Sequence, residues 1–319
     1  NDGHLDFLLL RGAWLEELGN IPNSLLQNNG DGTFTDVTIA AGLYSLHPTQ
    51  TAVWADFNLD GWLDVFIANE STYSAEQTTP TFPRSCELYL NQQGKFKEVS
   101  QEVGLDQLGY FKGVASGDVN KDGYPDLYLS NYYSDNTLYL NTCKGDKLSF
   151  SNITAQANVE RPYRSFSTWM FDYDNDGYDD IFVSGYSQKD KTPATLFIRN
   201  TKNGYQDNRP MLYHNNGDGT FTERSLKMGL SEPIATMGCN FGDLDNDGYL
   251  DFYLATGDPS FASIVPNRVF LNRQGKKFAD VTFVSGFGHI QKGHAIGFGD
   301  LDMDGDQDIY AVMGGAYEG

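Results

Sequence analysis

The chain has 319 residues, 39% of them hydrophobic and 14% aromatic, and its 22 Lys and Arg against 43 Asp and Glu give a net charge of −21. That apolar share supports a buried core and argues against disorder, while the acidity makes nucleic acid and anionic membrane surfaces poor partners and cations natural ones. No apolar run approaches the ~20 residues of a bilayer span, so no membrane insertion is expected, and the N-terminus lacks the basic and apolar regions of a signal peptide.

The chain opens on NDGHLD, the second half of a motif that recurs intact further on, so the sequence is expected to be a piece of a longer precursor. A hairpin, LLQNNGDGTFTDV, follows at 25 to 37, where Asn and Gly supply the positive φ of a tight turn, and a short turn is expected near AAGL (40 to 43). The first complete acidic segment is DFNLDGWLD (56 to 64), followed by the apolar run LDVFIAN and a second hairpin, LYLNQQGKFKEV. The pattern then repeats as DVNKDGYPD (118 to 126), PDLYLSN and LYLNTCKGDKLSFSNI. It returns as DYDNDGYDD (172 to 180), DDIFVSG and LYHNNGDGTFTERS, with a second short turn near KMGL (227 to 230). DLDNDGYLD (243 to 251), LDFYLAT and VFLNRQGKKFADV come next, and DLDMDGDQD (300 to 308) with QDIYAVM closes the series.

Five intact copies and one truncated copy, spaced about sixty residues apart, identify a repeat architecture. The runs after each acidic segment are apolar on both faces, as suits strands sandwiched between neighbouring sheets. Each unit supplies about four strands, and such units arranged radially make an all-β fold, a β-propeller of four-stranded blades. A linear β-solenoid fits less well, because its repeats are much shorter. The reading is a single propeller domain over 1–319, with units at about 1–55, 56–117, 118–171, 172–242, 243–299 and 300–319.

In each acidic segment positions 1, 3, 5 and 9 carry carboxylate or amide oxygens, position 6 is Gly and position 7 offers its carbonyl, which together make a cage for a hard cation. The proposed ligands are Asp56, Asn58, Asp60, the Trp62 carbonyl and Asp64, then Asp118, Asn120, Asp122, the Tyr124 carbonyl and Asp126. They continue with Asp172, Asp174, Asp176, Tyr178 and Asp180, and with Asp243, Asp245, Asp247, Tyr249 and Asp251. The last loop offers Asp300, Asp302, Asp304, Asp306 and Asp308, whereas the first retains only Asp2 and Asp6. An EF-hand would need Glu at position 12 between helices, but Ile67, Leu129, Val183, Leu254 and Ala311 stand there. The absence of Cys and His from the pattern favours Ca2+ over zinc, with about five to six ions expected per chain. The alternative is a set of polar turns rich in Asp and Gly with no metal role.

The three cysteines, Cys86, Cys143 and Cys239, are too few for a disulfide framework. Either Cys86 pairs with Cys143, both beside LYLN segments, or all three are free thiols. Long irregular connections at 11 to 24, 69 to 87, 184 to 211 and 256 to 267 lie at the sheet ends away from the acidic loops and are the expected recognition surface. Trp14, Tyr73, Phe82, Tyr186, Tyr205 and Phe261 are their aromatic candidates for stacking on sugar or contacting protein. No GxSxG, HExxH or P-loop signature occurs, and His289 and His294 are spaced to opposite faces of a strand. Binding or scaffolding of a protein or glycan ligand is therefore favoured, alone or within a larger surface assembly. A polysaccharide lyase or hydrolase is the enzymatic alternative. Asn69 and Asn152 begin N-glycosylation triplets.

The segments FGDLDNDGYLDFYLATGD (241 to 258) and FGDLDMDGDQDIYAVMGGA (298 to 316) resemble FG-GAP/VCBS repeats, most closely those of the cartilage-acidic-protein-like group associated with ASPIC/UnbV domains. The resemblance spans essentially the whole chain. It implies a seven-bladed, integrin-like propeller with calcium ligands at the aspartates named above. It also implies an extracellular, cell-surface or periplasmic location, where abundant calcium keeps weak sites filled.

Overall fold

A computed structural model describes residues 3–73, 79–145, 147–186, 209–256 and 265–314. It is all-β apart from one-turn helices at α1 (Thr38–Ala41), α2 (Ser100–Val103) and α3 (Thr154–Ala157) and a 3-10 turn at Glu16–Gly19. Two compact units divide the chain, Asn1–Thr154 and Ala155–Gly319.

The first unit begins with a three-stranded sheet of β1 (Phe7–Leu9), β2 (Ser24–Asn28) and β3 (Phe34–Asp36). Two four-stranded antiparallel meanders follow. One is β4 (Thr49–Ala55), β5 (Asp64–Asn69), β6 (Glu87–Gln92) and β7 (Lys95–Glu98); the other is β8 (Phe111–Gly117), β9 (Asp126–Asn131), β10 (Thr137–Asn141) and β11 (Phe150–Asn152). The second unit holds two more, β12 (Ser165–Phe171), β13 (Asp180–Gly185), β14 (Met211–Asn215) and β15 (Phe221–Glu223), then β16 (Thr236–Gly242), β17 (Asp251–Thr256), β18 (Arg268–Asn272) and β19 (Phe278–Asp280). It ends on a two-stranded sheet, β20 (Gly293–Gly299) with β21 (Asp308–Met313). Each four-stranded meander is one propeller blade.

Each of the five complete acidic loops is the turn between the first and second strands of its sheet. The first strand ends on the residue before position 1, and the second begins on the position 9 aspartate. The blades therefore start ahead of the loops, and the sequence units, which begin on the loops, cut each sheet after its first strand. A cyclic repeat has no intrinsic starting point in sequence, so the phase becomes visible only from strand pairing.

The second strands β5, β9, β13 and β17 are buried at every residue, as their two-sided apolar composition requires. In the first unit β8 packs on β4 and β5, which buries Phe57, Phe66, Leu88, Phe111, Leu127 and Leu129 in one core. In the second unit β16 packs on β12 and β20 on β16 and β17. There Trp169 stacks on Phe182 with centroids 4.1 Å apart, among Phe171, Phe252, Phe270 and Phe278. Each such side chain contributes about 1.5–3 kcal/mol of burial free energy, so the inter-sheet cores are the main source of cohesion. β21 departs from the expectation of two-sided burial. Tyr310 is 65% and Val312 44% exposed, because Ile309 and Ala311 turn to the core around Tyr253 and Ala255 and no sheet covers the opposite face among the described residues.

A register shift recurs in the first strand of five sheets, between Thr49 and Thr51, Phe111 and Gly113, Ser165 and Thr168, Thr236 and Gly238, and Gly293 and Ala295. Such bulges re-aim a side chain at the end of a sheet. In β8 the bulged residue is Lys112. The turns expected near AAGL and KMGL are present as α1 and a turn over residues 225–229. No disulfide joins the three cysteines, and Cys86 is buried. Asn69 is wholly buried within β5, so its glycosylation triplet is sealed in the folded chain, whereas Asn152 is exposed.

Candidate metal centres and ligand-binding surface

The five complete loops share one backbone. Position 4 is left-handed in each, at Leu59, Lys121, Asn175, Asn246 and Met303 with φ of 57°, 57°, 57°, 55° and 60°. Position 6 also has positive φ, 87° at Gly61 and 95° at Gly305, which is why only Gly occupies it. Holding Leu, Lys or Met in the left-handed region costs about 1–2 kcal/mol per residue, so the rest of the loop must enforce that shape.

Carboxylates enforce it. The position 1 aspartate accepts two backbone N–H groups. Asp118 Oδ1 takes that of Asp122 at 3.1 Å, Asp118 Oδ2 takes that of Gly123 at 2.8 Å, and Asp56, Asp172, Asp243 and Asp300 repeat the pair. Position 5 accepts the N–H of position 7, as from Trp62, Tyr124, Tyr178, Tyr249 and Asp306 to Asp60, Asp122, Asp176, Asp247 and Asp304. At position 3, Asn58 and Asn120 donate to Asp60 and Asp122, whereas Asp174, Asp245 and Asp302 add a carboxylate. The Asp306 side chain accepts from Asn246 of the neighbouring loop.

Position 9 is the deepest. Asp64, Asp126, Asp180 and Asp251 are 0% exposed. One oxygen of each accepts the N–H of loop position 2, and the other accepts the N–H of an asparagine at the end of the third strand: Asn91, Asn141, Asn215 and Asn272. Asp308 makes the first of these contacts with Leu301, and Asp6 makes the second with Asn28. Asp2 lies outside the described residues. The asparagines also join sheets: Asn141 Nδ2 donates to the Phe57 carbonyl at 2.8 Å and Asn272 Nδ2 to the Tyr173 carbonyl at 2.7 Å. Reading the acidic segments alone misses these asparagines, although the constant Asn of LYLN, LYHN and VFLN is their signal.

Crowded, buried carboxylates resist ionisation. Burial pushes Asp64 and Asp251 up to about 6, Asp126 to about 7 and Asp180 to about 8; backbone hydrogen bonds oppose this and neighbouring loop aspartates add to it. Asp174 is raised for the same first reason, and its Oδ1 is buried with no hydrogen-bond partner. Ligand atoms of Asp172, Asp174 and Asp176, of Asp243, Asp245 and Asp251, and of Asp300, Asp302 and Asp304 each fall within 4.8 Å of one another. Convergent hard oxygens whose charge is otherwise penalised fit a divalent cation of the calcium type.

Of the aromatic candidates, Trp14 and Tyr73 come together in the first unit at sheet ends remote from the acidic loops. Trp14 packs edge-on against Tyr110 and Tyr132, and Tyr133 bridges Tyr110 and Tyr132 to Tyr73 at centroid distances of 5.0 to 6.0 Å. Trp14 is 39% and Tyr133 55% exposed. Beneath them the Glu70–Lys112 ion pair is buried, with Lys112 Nζ 3.2 Å from the Trp14 ring centroid and the Trp14 N–H donating to Glu70 at 2.8 Å. Trp14 has φ of 68°, a costly conformation for a bulky residue, held by that hydrogen bond. Phe82 is half-buried and its backbone bridges Thr72. Tyr186 corrects the expectation: it is 2% exposed, its backbone N–H donates to the Arg164 carbonyl beside β12, and its ring packs on Phe166. Tyr205 and Phe261 lie outside the described residues. Tyr110, Tyr132 and Tyr133 were not among the candidates, since they sit at strand ends and not in long loops.

Among the described residues no helix is long and apolar enough to cross a membrane. The chain is similar to cartilage acidic protein 1 of Homo sapiens, 27% identical over 184 residues, covering 57% of this chain and 25% of that protein. The Mus musculus protein of the same name is 27% identical over 214 residues, covering 66% and 29%, and the Xenopus tropicalis one 28% over 219 residues, covering 67% and 29%. The chain thus aligns with between a quarter and a third of the length of these relatives. It is also similar to a solved structure described as "Structure of Dos1 propeller", with TM-score 0.45 and 11% identity over 91% of this chain and 65% of that one. The FG-GAP-like repeat model matches residues 1–67, 56–129, 118–183 and 196–254, each match ending just past a complete acidic loop. The chain belongs to the FG-GAP-like repeat family.

Proposed function

We propose that this chain is a calcium-stabilised extracellular binding module that holds a glycan on the aromatic surface around Trp14 and Tyr133. In each loop the side chains at positions 1, 3, 5 and 9 and the carbonyl of position 7 hold the ion, which neutralises carboxylates that otherwise repel one another and so closes the first hairpin of the sheet. The protein's own groups fix everything else: position 9 ties the loop to the third strand, and the asparagine there ties one sheet to the next. The metal is structural in this reading, and recognition occurs at the other end of the sheets.

The observation that carries the ligand assignment is the built state of the Trp14 site. A tryptophan held in a strained conformation by a buried carboxylate and capped by a buried ammonium is positioned, and its exposed area continues onto Tyr133. Rigid aromatic faces stack on the apolar faces of sugar rings. The abundant calcium outside cells and the acidic surface support the extracellular placement.

A glycan array probed with the calcium-loaded protein tests this, with Trp14→Ala as control. Hits that Trp14→Ala abolishes, with less than a few degrees of change in melting temperature, are expected. A blank array together with capture of a protein ligand sensitive to Trp14→Ala would replace the glycan with a protein partner; a ligand indifferent to Trp14 would remove the site.

A further inference from the structure

Loop 172–180 differs from its counterparts in one neighbour. The residue before the strand-end asparagine is Leu90, Leu140 and Leu271 in the other four-stranded sheets, but it is His214 in this one. β14 places the imidazole against the loop, with Nδ1 3.3 Å from Asp180 Oδ1 and 3.5 Å from Asp174 Oδ2, and Nε2 3.9 Å from Asp176 Oδ2. His214 is 8% exposed, and its Nδ1 has no hydrogen-bond partner. Nor has the buried Asp174 Oδ1. One ligand atom from each of Asp174, Asp180 and His214 lies within 4.8 Å of the others.

Two positive groups act on this cluster. Arg224 Nη1 stands 3.9 Å from Asp174 Oδ2 and also donates to the Tyr173 hydroxyl, and Lys227 acts on the imidazole at longer range. Burial first, and then Arg224, hold the His214 pKa below its ordinary value. The buried Nδ1 is packed against two carboxylates without a hydrogen bond to either. A cation between the three groups satisfies all of them.

Imidazole nitrogen suits first-row transition ions, whereas calcium takes six to eight oxygens and gains little from nitrogen. We infer that Asp174, Asp180 and His214 form a mixed nitrogen and oxygen site for a transition-metal dication of the zinc type, distinct from the all-oxygen cages of the other loops. The inference rests on reading the loops as metal sites and departs from that reading in the ion chosen.

The test compares wild type with His214→Leu, which installs the residue of the sister sheets, and with His214→Gln. Each is given zinc in the presence of excess calcium and desalted, and bound metals are measured by elemental analysis. Cobalt loading is read in parallel by visible absorption, and melts are run with calcium and with chelator. A single zinc retained by wild type against calcium, weakened by more than about 100-fold in both variants, is expected. The cobalt spectrum should lose its d–d bands in both variants while the calcium-dependent rise in melting temperature persists. Zinc bound equally by all three proteins, or displaced from wild type by calcium, overturns the inference. Melts indifferent to calcium in all three would sink the calcium reading, and a zinc difference surviving beside them would leave this one standing.

Discussion

Replacing Asp126 with Asn separates the two roles assigned to position 9. Asp126 is completely buried, its Oδ2 accepts the Val119 N–H at 2.9 Å and its Oδ1 the Asn141 N–H at 2.8 Å. Asn preserves shape and one acceptor, but turns an NH2 toward a backbone donor on the other side. Losing a hydrogen bond to a charged group and leaving that donor unmet costs about 1.5–3 kcal/mol. Calcium adds to this. If an ion at 100 times its Kd stabilises the native loop by about 2.7 kcal/mol, a variant unable to bind forfeits that as well, for a total of about 4–6 kcal/mol in calcium. In chelator the cost should be smaller than the hydrogen-bond figure alone, because burial pushes Asp126 up to about 7 and Asn removes a charge that the ion-free loop tolerates poorly. The assay is denaturant unfolding of wild type and Asp126→Asn, in saturating calcium and in chelator, with exposed Asp135→Asn as control. A loss of the same size in both conditions would refute a metal role for this loop, and a loss no larger than that of the control would refute the structural one.

Other outcomes follow from the same contacts. Lys112→Met leaves Glu70 buried without its partner and should cost about 3–5 kcal/mol, with the Glu70→Gln/Lys112→Met double variant recovering part of it in a double-mutant cycle. Burial pushes Lys112 from 10.5 down to about 8, against the pull of Glu70, so the folded chain binds fewer protons than the unfolded one between those values. Wild-type stability relative to Lys112→Met should therefore rise with pH from about 8 to about 10.5, read from melts across that range. Asn141→Ala removes the bond to the Phe57 carbonyl that links two sheets and should cost about 1–3 kcal/mol, in chelator as well as in calcium. A tyrosine tested for ligand contact should follow burial: Tyr133→Ala weakens binding, whereas Tyr186→Ala, which empties a packed site against Phe166, lowers stability instead.

The repeat made the fold legible before any coordinates. The period of the acidic loops, the two-sided apolar runs after them and the Asn-Gly hairpins specify four-stranded sheets, and the strands at Asp64–Asn69, Asp126–Asn131, Asp180–Gly185 and Asp251–Thr256 begin where those patterns place them. Phase was not legible, because a cyclic repeat can be cut anywhere. The convergence of Trp14 with Tyr110, Tyr132 and Tyr133 was also hidden, since it depends on which strand ends lie side by side and on the bulge that aims Lys112 under the rings. His214 escaped notice for a related reason. LYHN beside LYLN shows a histidine where other sheets carry leucine, but only strand pairing in space shows that it faces the acidic loop one strand away.

The most direct test of the central claim is to count calcium ions per folded chain after desalting and to follow the melting temperature as they are removed. At least four tightly held calcium ions, one for each complete loop other than 172–180, with a large fall in melting temperature on chelation, are expected. A chain that retains no calcium and melts identically in chelator would contradict the account, and would leave the aspartates as turn formers that hold backbone N–H groups and nothing more.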